Sequence, residues 1–274
     1  MKTVKKIGLK KKSATRAASG HIGGLYLYCI VEGGRDVHFG RIGLLGSEVY
    51  TIRCAGFLAV VHDCKEDRYR TEDAEALQSW VMTHNDVVNI AMEMFDAVLP
   101  LGFGKIIVGK GEEGPVETLA RWLEKEREGF KLKLANVRGK EEYGVEILWD
   151  SGVVTSGLKT VLPQARELME KAQSESVGTA YMYEEKLKML LRREAEAARE
   201  RYSEEFYGLI KKSVDGIKVD KRRQTGDKMP SLMRLSCLVR KDGVSALGEI
   251  LERIKKEKGF PVRFTGPWPP YSFV

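Results

Sequence analysis

Two hydrophobic periods alternate along this chain, and neither an all-helical nor an all-strand fold accommodates both. "LYLYCIV" (25–31) is a strand-length apolar run rich in β-formers that ends at Gly33-Gly34. "EVYTIRC" (48–54) and "FLAVVHD" (57–63) flank Ala55-Gly56 and predict a hairpin. From Thr71 the spacing changes to three and four: Leu77, Trp80, His84, Val87, Ala91 and Phe95 predict an amphipathic helix ending near Val98. "VLPLGFGKIIVG" (98–109) returns to extended structure. Pro115 then opens a helix with Val116, Leu119, Trp122 and Leu123 on one face, which Gly129 is expected to stop.

A second set follows. "YGVEILWD" (143–150) predicts a strand, residues 151–157 a turn, and Val161 to Ala172 a helix. "GTAYM" (178–182) leads into the longest helix, striped by Tyr183, Leu187, Leu190, Ala198, Tyr202, Phe206 and Leu209. Packing onto its own sheet competes with coiled-coil pairing for that stripe, and a sheet needs a partner layer. "GIKVD" (216–220) and "LMRLSCLV" (232–239) bracket a polar, basic hairpin loop. Asp242 is placed to cap a helix carrying Val244, Leu247, Ile250, Leu251 and Ile254, and "FPVRFTG" is the last strand.

The elements therefore predict an α+β chain of two α/β-sandwich domains, with an ordered C-terminal tail. The second is ferredoxin-like in order (β-α-β-β-α-β), and the first is a variant with one helix replaced by a loop. The expected divisions are a basic disordered arm (1–22), an N-terminal α/β domain (23–139), a C-terminal ferredoxin-like domain (140–266) and the tail (267–274).

The net charge of +7 suggests nucleic acid until its distribution is examined. Seven bases and no acid fall in residues 1–22, so the remaining 39 bases balance the 39 acids. A solvated arm is the expected use of such a block. A nucleic-acid-binding module using that arm is the alternative function. No stretch approaches the roughly 20 apolar residues of a membrane span. Cys29, Cys54, Cys64 and Cys237 form no CxxC pair and lie in or beside apolar strands, which predicts reduced, buried thiols in a cytosolic protein. His62 with Cys54 and Cys64 lacks the spacing of a zinc site, so no metal is expected.

The tail "TGPWPPYSFV" (265–274) holds Trp268, Tyr271, Phe273 and Val274 around three prolines and no charge. Prolines reduce the entropy lost on ordering, and aromatics bring large apolar areas. Trp268, Tyr271 and Phe273 are expected to pack on the first domain and clamp the two domains together.

Catalytic patterns are absent or fail on detail. "GKGEEG" (109–114) matches G-x-G-x-x-G, but Glu112 and Glu113 sit where pyrophosphate charge would go, so a strand-to-helix turn is expected. "GKIIVGK" (104–110) has a strand at its centre, and Gly111 replaces the hydroxyl a magnesium ion needs. No G-x-S-x-G elbow occurs. His84 lies on an apolar helix face and is expected to be a hydrogen-bonded packing residue, and His62 beside Asp63 is weak evidence for chemistry. No enzyme and no cofactor are expected.

The tail motif, with "LYLYCIV", "FLAVVHD", "VLPLGFGKIIV", "EYGVEI" and "SVGTAYM" in order, makes residues 25–274 resemble the gas-vesicle accessory proteins of the F and L types (GvpF/GvpL). Gly102 stands where that family carries arginine. The resemblance implies a non-catalytic accessory or minor structural component located at the gas vesicle. Its implied partners are the major shell protein and other accessory proteins, with no membrane. The shell subunit's apolar face would need a chaperone-like cover before assembly. Of the surfaces available, the first domain's sheet and its 32–47 loop are the expected contact, because the second sheet is better supplied with helices.

Overall fold

A computed structural model describes residues 23–65, 69–174, 176–220 and 229–274. The arm 1–22 and most of the basic loop 221–230 lie outside the described residues. The fold is α+β, built on two antiparallel sheets with separate cores.

The first sheet comprises β1 (Gly24–Val31), β2 (His38–Gly40), β3 (Val49–Cys54), β4 (Phe57–Cys64), β5 (Val98–Pro100) and β6 (Ile106–Val108). Its order is β2-β3-β4-β1-β5, with β6 also paired to β1. The stretch expected as one strand over 98–109 is thus two short strands pairing in tandem with β1. The β3–β4 hairpin turns on Ala55 and Gly56, both left-handed, as the twist of a two-residue hairpin demands.

Helices cover both faces of this sheet. Tyr26, Tyr28, Leu58 and Val60 pack under α1 (Ala74–Met94) against Val87, Val88 and Ala91. Leu25, Leu27, Ala59 and Val61 face α2 (Pro115–Lys125) and α3 (Arg127–Val137) through Leu119, Leu123, Phe130 and Leu134. This explains why "LYLYCIV" reads as a continuous apolar run, since a strand buried on both sides need not alternate. Between β1 and β3 the chain passes through β2 and a 3-10 turn at Leu44–Gly46 with no α-helix, and helices on both faces make the expected two-layer sandwich a three-layer one. Asp73 caps α1 by accepting from the amides of Glu75 and Ala76. Gly129 does not stop a helix: the break falls at Glu126 (φ −98°, ψ 12°), and Gly129 lies inside α3.

The second sheet runs β10-β7-β9-β8, from β7 (Lys140–Leu148), β8 (Gly216–Val219), β9 (Ser231–Arg240) and β10 (Val262–Trp268). The crossover from β7 to β8 contains three helices, α4 (Ser151–Val161), α5 (Pro163–Ser174) and α6 (Val177–Lys211). The 151–157 turn expected from sequence is the first of them, nucleated by Asp150, whose carboxylate accepts from the Val153 amide. Helix α7 (Val244–Lys256) follows β9. Asp242 does not cap it: the capping position is Gly243, and Asp242 lies 3.6 Å from the Arg240 guanidinium.

Only one face of this sheet carries helices. Tyr143, Val145 and Ile147 of β7, with Leu235, Cys237 and Val239 of β9, meet Phe206 and Ile210 of α6 and Leu247, Leu251 and Ile254 of α7. The stripe on α6 is shared, because its N-terminal part packs on α4 and α5 and its C-terminal part on the sheet. At roughly 1.5 Å per residue, a 35-residue helix is too long for one sheet to cover. Phe206, 2% exposed, packs against Tyr202 and Phe260 at ring separations of 5.4 and 5.0 Å. Phe206→Ala should cost about 3–5 kcal/mol by chemical denaturation. A loss below about 1 kcal/mol would place the core elsewhere.

Candidate functional site

The helix-free face of the second sheet carries Glu142 and Glu146 of β7, Arg234 and Ser236 of β9, and Arg263 of β10. Period-two alternation puts these polar side chains opposite the apolar ones. Glu146 lies 2.8 Å from Arg234 and 3.4 Å from Arg263. Glu142 is 8% exposed, and a buried carboxylate is costly unless hydrogen-bonded. Its partners come from the tail. The Ser272 amide donates to Glu142 Oε2 at 2.8 Å and the Ser272 hydroxyl to Oε1 at 2.5 Å, with Ser236 Oγ 3.1 Å from that hydroxyl. Lys218 of β8 donates to the Ser272 carbonyl.

Anchored there, the tail spans both cores. The Tyr271 hydroxyl donates to Asn85 Oδ1 of α1 at 2.8 Å, and burial pushes its pKa up. Val274 packs on the core formed with α2 and α3. Pro269 and Pro270 are buried between. Two of the expected contacts need correction. Trp268 is 48% exposed and is the last residue of β10, paired with Glu142, its indole N–H donating to Thr265 Oγ1 at 3.3 Å. Strand pairing thus carries it past the turn instead of onto the first domain. Phe273 packs on the second sheet, where a Cβ added at Gly216 would come within 3.0 Å of its ring and Lys218 Nζ lies 5.5 Å from the ring centroid. At Gly266, φ is +125° and an added Cβ would meet Tyr143 at 2.9 Å and the Glu142 carbonyl at 3.0 Å, so only glycine fits the bend before the tail.

Sequence reasoning missed Glu142, Ser272, Ser236, Lys218 and Asn85. The available signal was "EEYGVEIL", where carboxylates at 142 and 146 alternate with apolar residues on a strand.

Beneath Tyr271 lies a buried polar-aromatic cluster. Tyr26 donates to His84 Nδ1 (2.9 Å) and accepts from the Gly104 amide (3.0 Å), while His84 Nε2–H donates to the Leu101 carbonyl (2.9 Å). Both ring nitrogens of His84 are therefore used with the imidazole neutral, and burial pushes its pKa down to about 4 against the pull of the Leu101 carbonyl. His62 bonds the Tyr69 hydroxyl at 2.7 Å and stacks on Tyr26. The four cysteines are buried free thiols, with Cys29 and Cys237 pushed up by burial, the latter to about 12. "GKGEEG" forms a turn in which the Lys110 amide donates to the Glu113 carbonyl and the Glu113 carboxylate pairs with Arg121. Among the described residues, no group of three or more His, Cys, Asp or Glu is placed to hold a metal, and no helix is long and apolar enough to cross a membrane.

The family model described as gas vesicle synthesis protein GvpL/GvpF matches residues 24–274. The chain belongs to this family. It is 32% identical over 263 residues to gas vesicle protein L1 of Halobacterium salinarum, covering 92% of this chain and 90% of that one. Gas vesicle protein L of Haloferax mediterranei is 27% identical, with 87% and 74% covered. The crystal structure of GvpF from Anabaena sp. PCC7120 superposes with a TM-score of 0.69 at 19% identity, covering 92% of this chain and 98% of that chain. The GvpF structure from Microcystis aeruginosa gives 0.62 at 17% identity, covering 91% and 98%.

Two predictions follow from this geometry. Deleting residues 269–274 should destabilise the chain by about 3 kcal/mol or more, from two charge-assisted hydrogen bonds, the buried Pro269 and Pro270 and the half-buried Tyr271. An unchanged melting temperature would refute the clamp. For His84, the unfolded state takes up a proton near pH 6.5 and the folded state only near 4. Stability from neutral His84 is therefore complete above pH 6.5 and declines toward pH 4, at about 1.4 kcal/mol per pH unit. His84→Gln should remove that increment of slope, and identical pH profiles for the two proteins would exclude it.

Proposed function

We propose that this protein is a non-catalytic accessory component of gas vesicle formation that binds the apolar shell subunit and keeps it from aggregating before assembly. The observation that carries this reading is the GvpL/GvpF match over residues 24–274. The physical need is clear: a gas-filled shell requires subunits with a water-repelling face, which is an aggregation hazard in water until covered.

Of the surface expected from sequence, helices bury both faces of the first sheet, which leaves its edges for contact. The second sheet, with one helical layer, is the less covered of the two, which reverses the reason for preferring the first. The 32–47 loop remains. It presents Leu45, 57% exposed, in a turn where this residue adopts φ +54°. A non-glycine residue there carries backbone strain and persists only where its surroundings impose it. Those surroundings are Tyr28, whose buried hydroxyl accepts from the Leu44 amide at 3.1 Å, and the Gly43 amide, which donates to the Ser47 carbonyl at 2.9 Å. An exposed apolar side chain held on a rigid turn suits an apolar contact.

Co-expression with the shell subunit should move that subunit into the soluble fraction and allow co-purification that persists at high salt, since apolar contacts are not screened. If the subunit stays insoluble and no complex forms at any salt, direct binding is refuted. Leu45→Asp should leave the melting temperature unchanged and reduce co-purification several-fold. Full retention would move the contact away from this loop.

A further inference from the structure

Helix α6 runs on beyond the second sheet, and there its two sides differ. One side lies against α5: Lys171 Nζ of α5 stands 5.9 Å from the centre of the Tyr183 ring, and Leu187, Leu190 and Leu191 follow Tyr183 at helical spacing. On the opposite side Tyr181 is 62%, Met182 57% and Met189 72% exposed. Three large apolar side chains thus lie in water on one helix face, set among Glu185, Arg192, Arg193 and Glu196.

The charges of this face are ordered by sign. In "YEEKLKMLLRR" (183–193) the acids Glu184 and Glu185 precede Met189, and the bases Arg192 and Arg193 follow it. Glu185 and Arg192 are seven residues apart, so they stand on the same face two turns apart with Met189 between them. Such a face complements itself only when reversed. In an antiparallel pair with its two-fold axis beside Met189, each Glu185 meets the Arg192 of the other copy. A parallel pair would set Glu185 against Glu185 and Arg192 against Arg192, and like charges brought together oppose association. Both groups can be recruited at little cost. Glu185 pairs with Lys188 on its own helix at 2.7 Å, a solvated contact one turn away, and Arg192 makes no ion pair among the described residues.

We infer that this face of α6 is a contact between two copies of the chain, packed antiparallel over residues 178–196. Met189 meets the partner's Met189 at the centre, and Met182 lies along the aliphatic stem of the partner's Arg193. The two Glu185–Arg192 pairs fix direction and register. A contact along about 28 Å of helix belongs to the small interfaces, so the dimer is weak and reversible. It uses none of the residues assigned to the shell subunit and does not depend on that binding.

Sedimentation velocity of the full chain should show a reversible monomer–dimer equilibrium with Kd on the order of 10 μM. Glu185→Arg and Arg192→Glu should each weaken it about tenfold, with melting temperatures unchanged in dilute solution. Mixing the two variants should restore the affinity, because both intermolecular pairs are then again of opposite sign. Direction is read with a bis-maleimide of about 10 Å reach, matching helix separation, while the native cysteines stay buried. Met189→Cys should cross-link to itself and Tyr181→Cys should not, since antiparallel packing holds the two 181 positions far apart. A chain that stays monomeric to about 200 μM overturns the inference. So does unchanged association in the folded charge variants, or equal cross-linking at 181 and 189. Association lost on deleting residues 1–22 would assign the contact to the basic arm and overturn it as well.

Discussion

Glu142 sits on the one face of the second sheet that no helix covers, and the arrangement of the whole chain depends on how that carboxylate is satisfied. A buried carboxylate left without partners costs several kcal/mol, whereas one accepting two hydrogen bonds is tolerated. Ser272 supplies both donors, one from its backbone and one from its side chain. With Ser272 held there, Tyr271 on one side reaches Asn85 of α1 and Val274 on the other reaches the core under α2 and α3. The bend at Gly266 and the close approach of Phe273 at Gly216 make this path sterically possible. The tail is therefore a third layer for the second sheet and a tie to the first.

The two sheets handle their exposed faces differently, and this decides where partners can meet the protein. The first sheet has spent both faces internally, with β1 buried along its full length. Its partner-accessible features are its edges and loops, among them the Leu45 turn held by the Tyr28 hydroxyl. The second sheet has one face for helices and one for the tail. What remains open in that half is the outward side of α6 beyond the sheet, where Tyr181, Met182 and Met189 lie among charges. The four cysteines are buried and both nitrogens of His84 are occupied in packing.

Much of the fold was legible in the sequence because period reports element type directly. The alternation in "EYGVEI", the three-and-four spacing from Leu77 to Ala91 and the Ala55-Gly56 turn each correspond to an observed element. Misreadings fell where two elements share one pattern. Residues 98–109 look like one strand but divide to pair twice with β1, and Gly129 looks like a helix stop but lies in α3 after a break at Glu126. The 151–157 segment lacked a long apolar stripe, yet forms a helix because Asp150 caps it and α6 gives it a surface to pack on.

By itself the sequence determined that the chain is α+β, that its basic charge excess is confined to residues 1–22, that residues 267–274 are aromatic- and proline-rich and uncharged, and that the whole resembles GvpF/GvpL. These are properties of composition, spacing and motif, which do not depend on what a residue touches. Only the tertiary structure decided that the first sheet is covered on both faces, that Trp268 stays with β10 while Tyr271 crosses to α1, and that Glu142 is the tail's anchor. A hydrophobic period says which face of an element seeks burial. It carries no information about which distant segment arrives to cover it, because that is settled by shape and hydrogen-bond demand between residues more than a hundred positions apart, as Glu142 and Ser272 are.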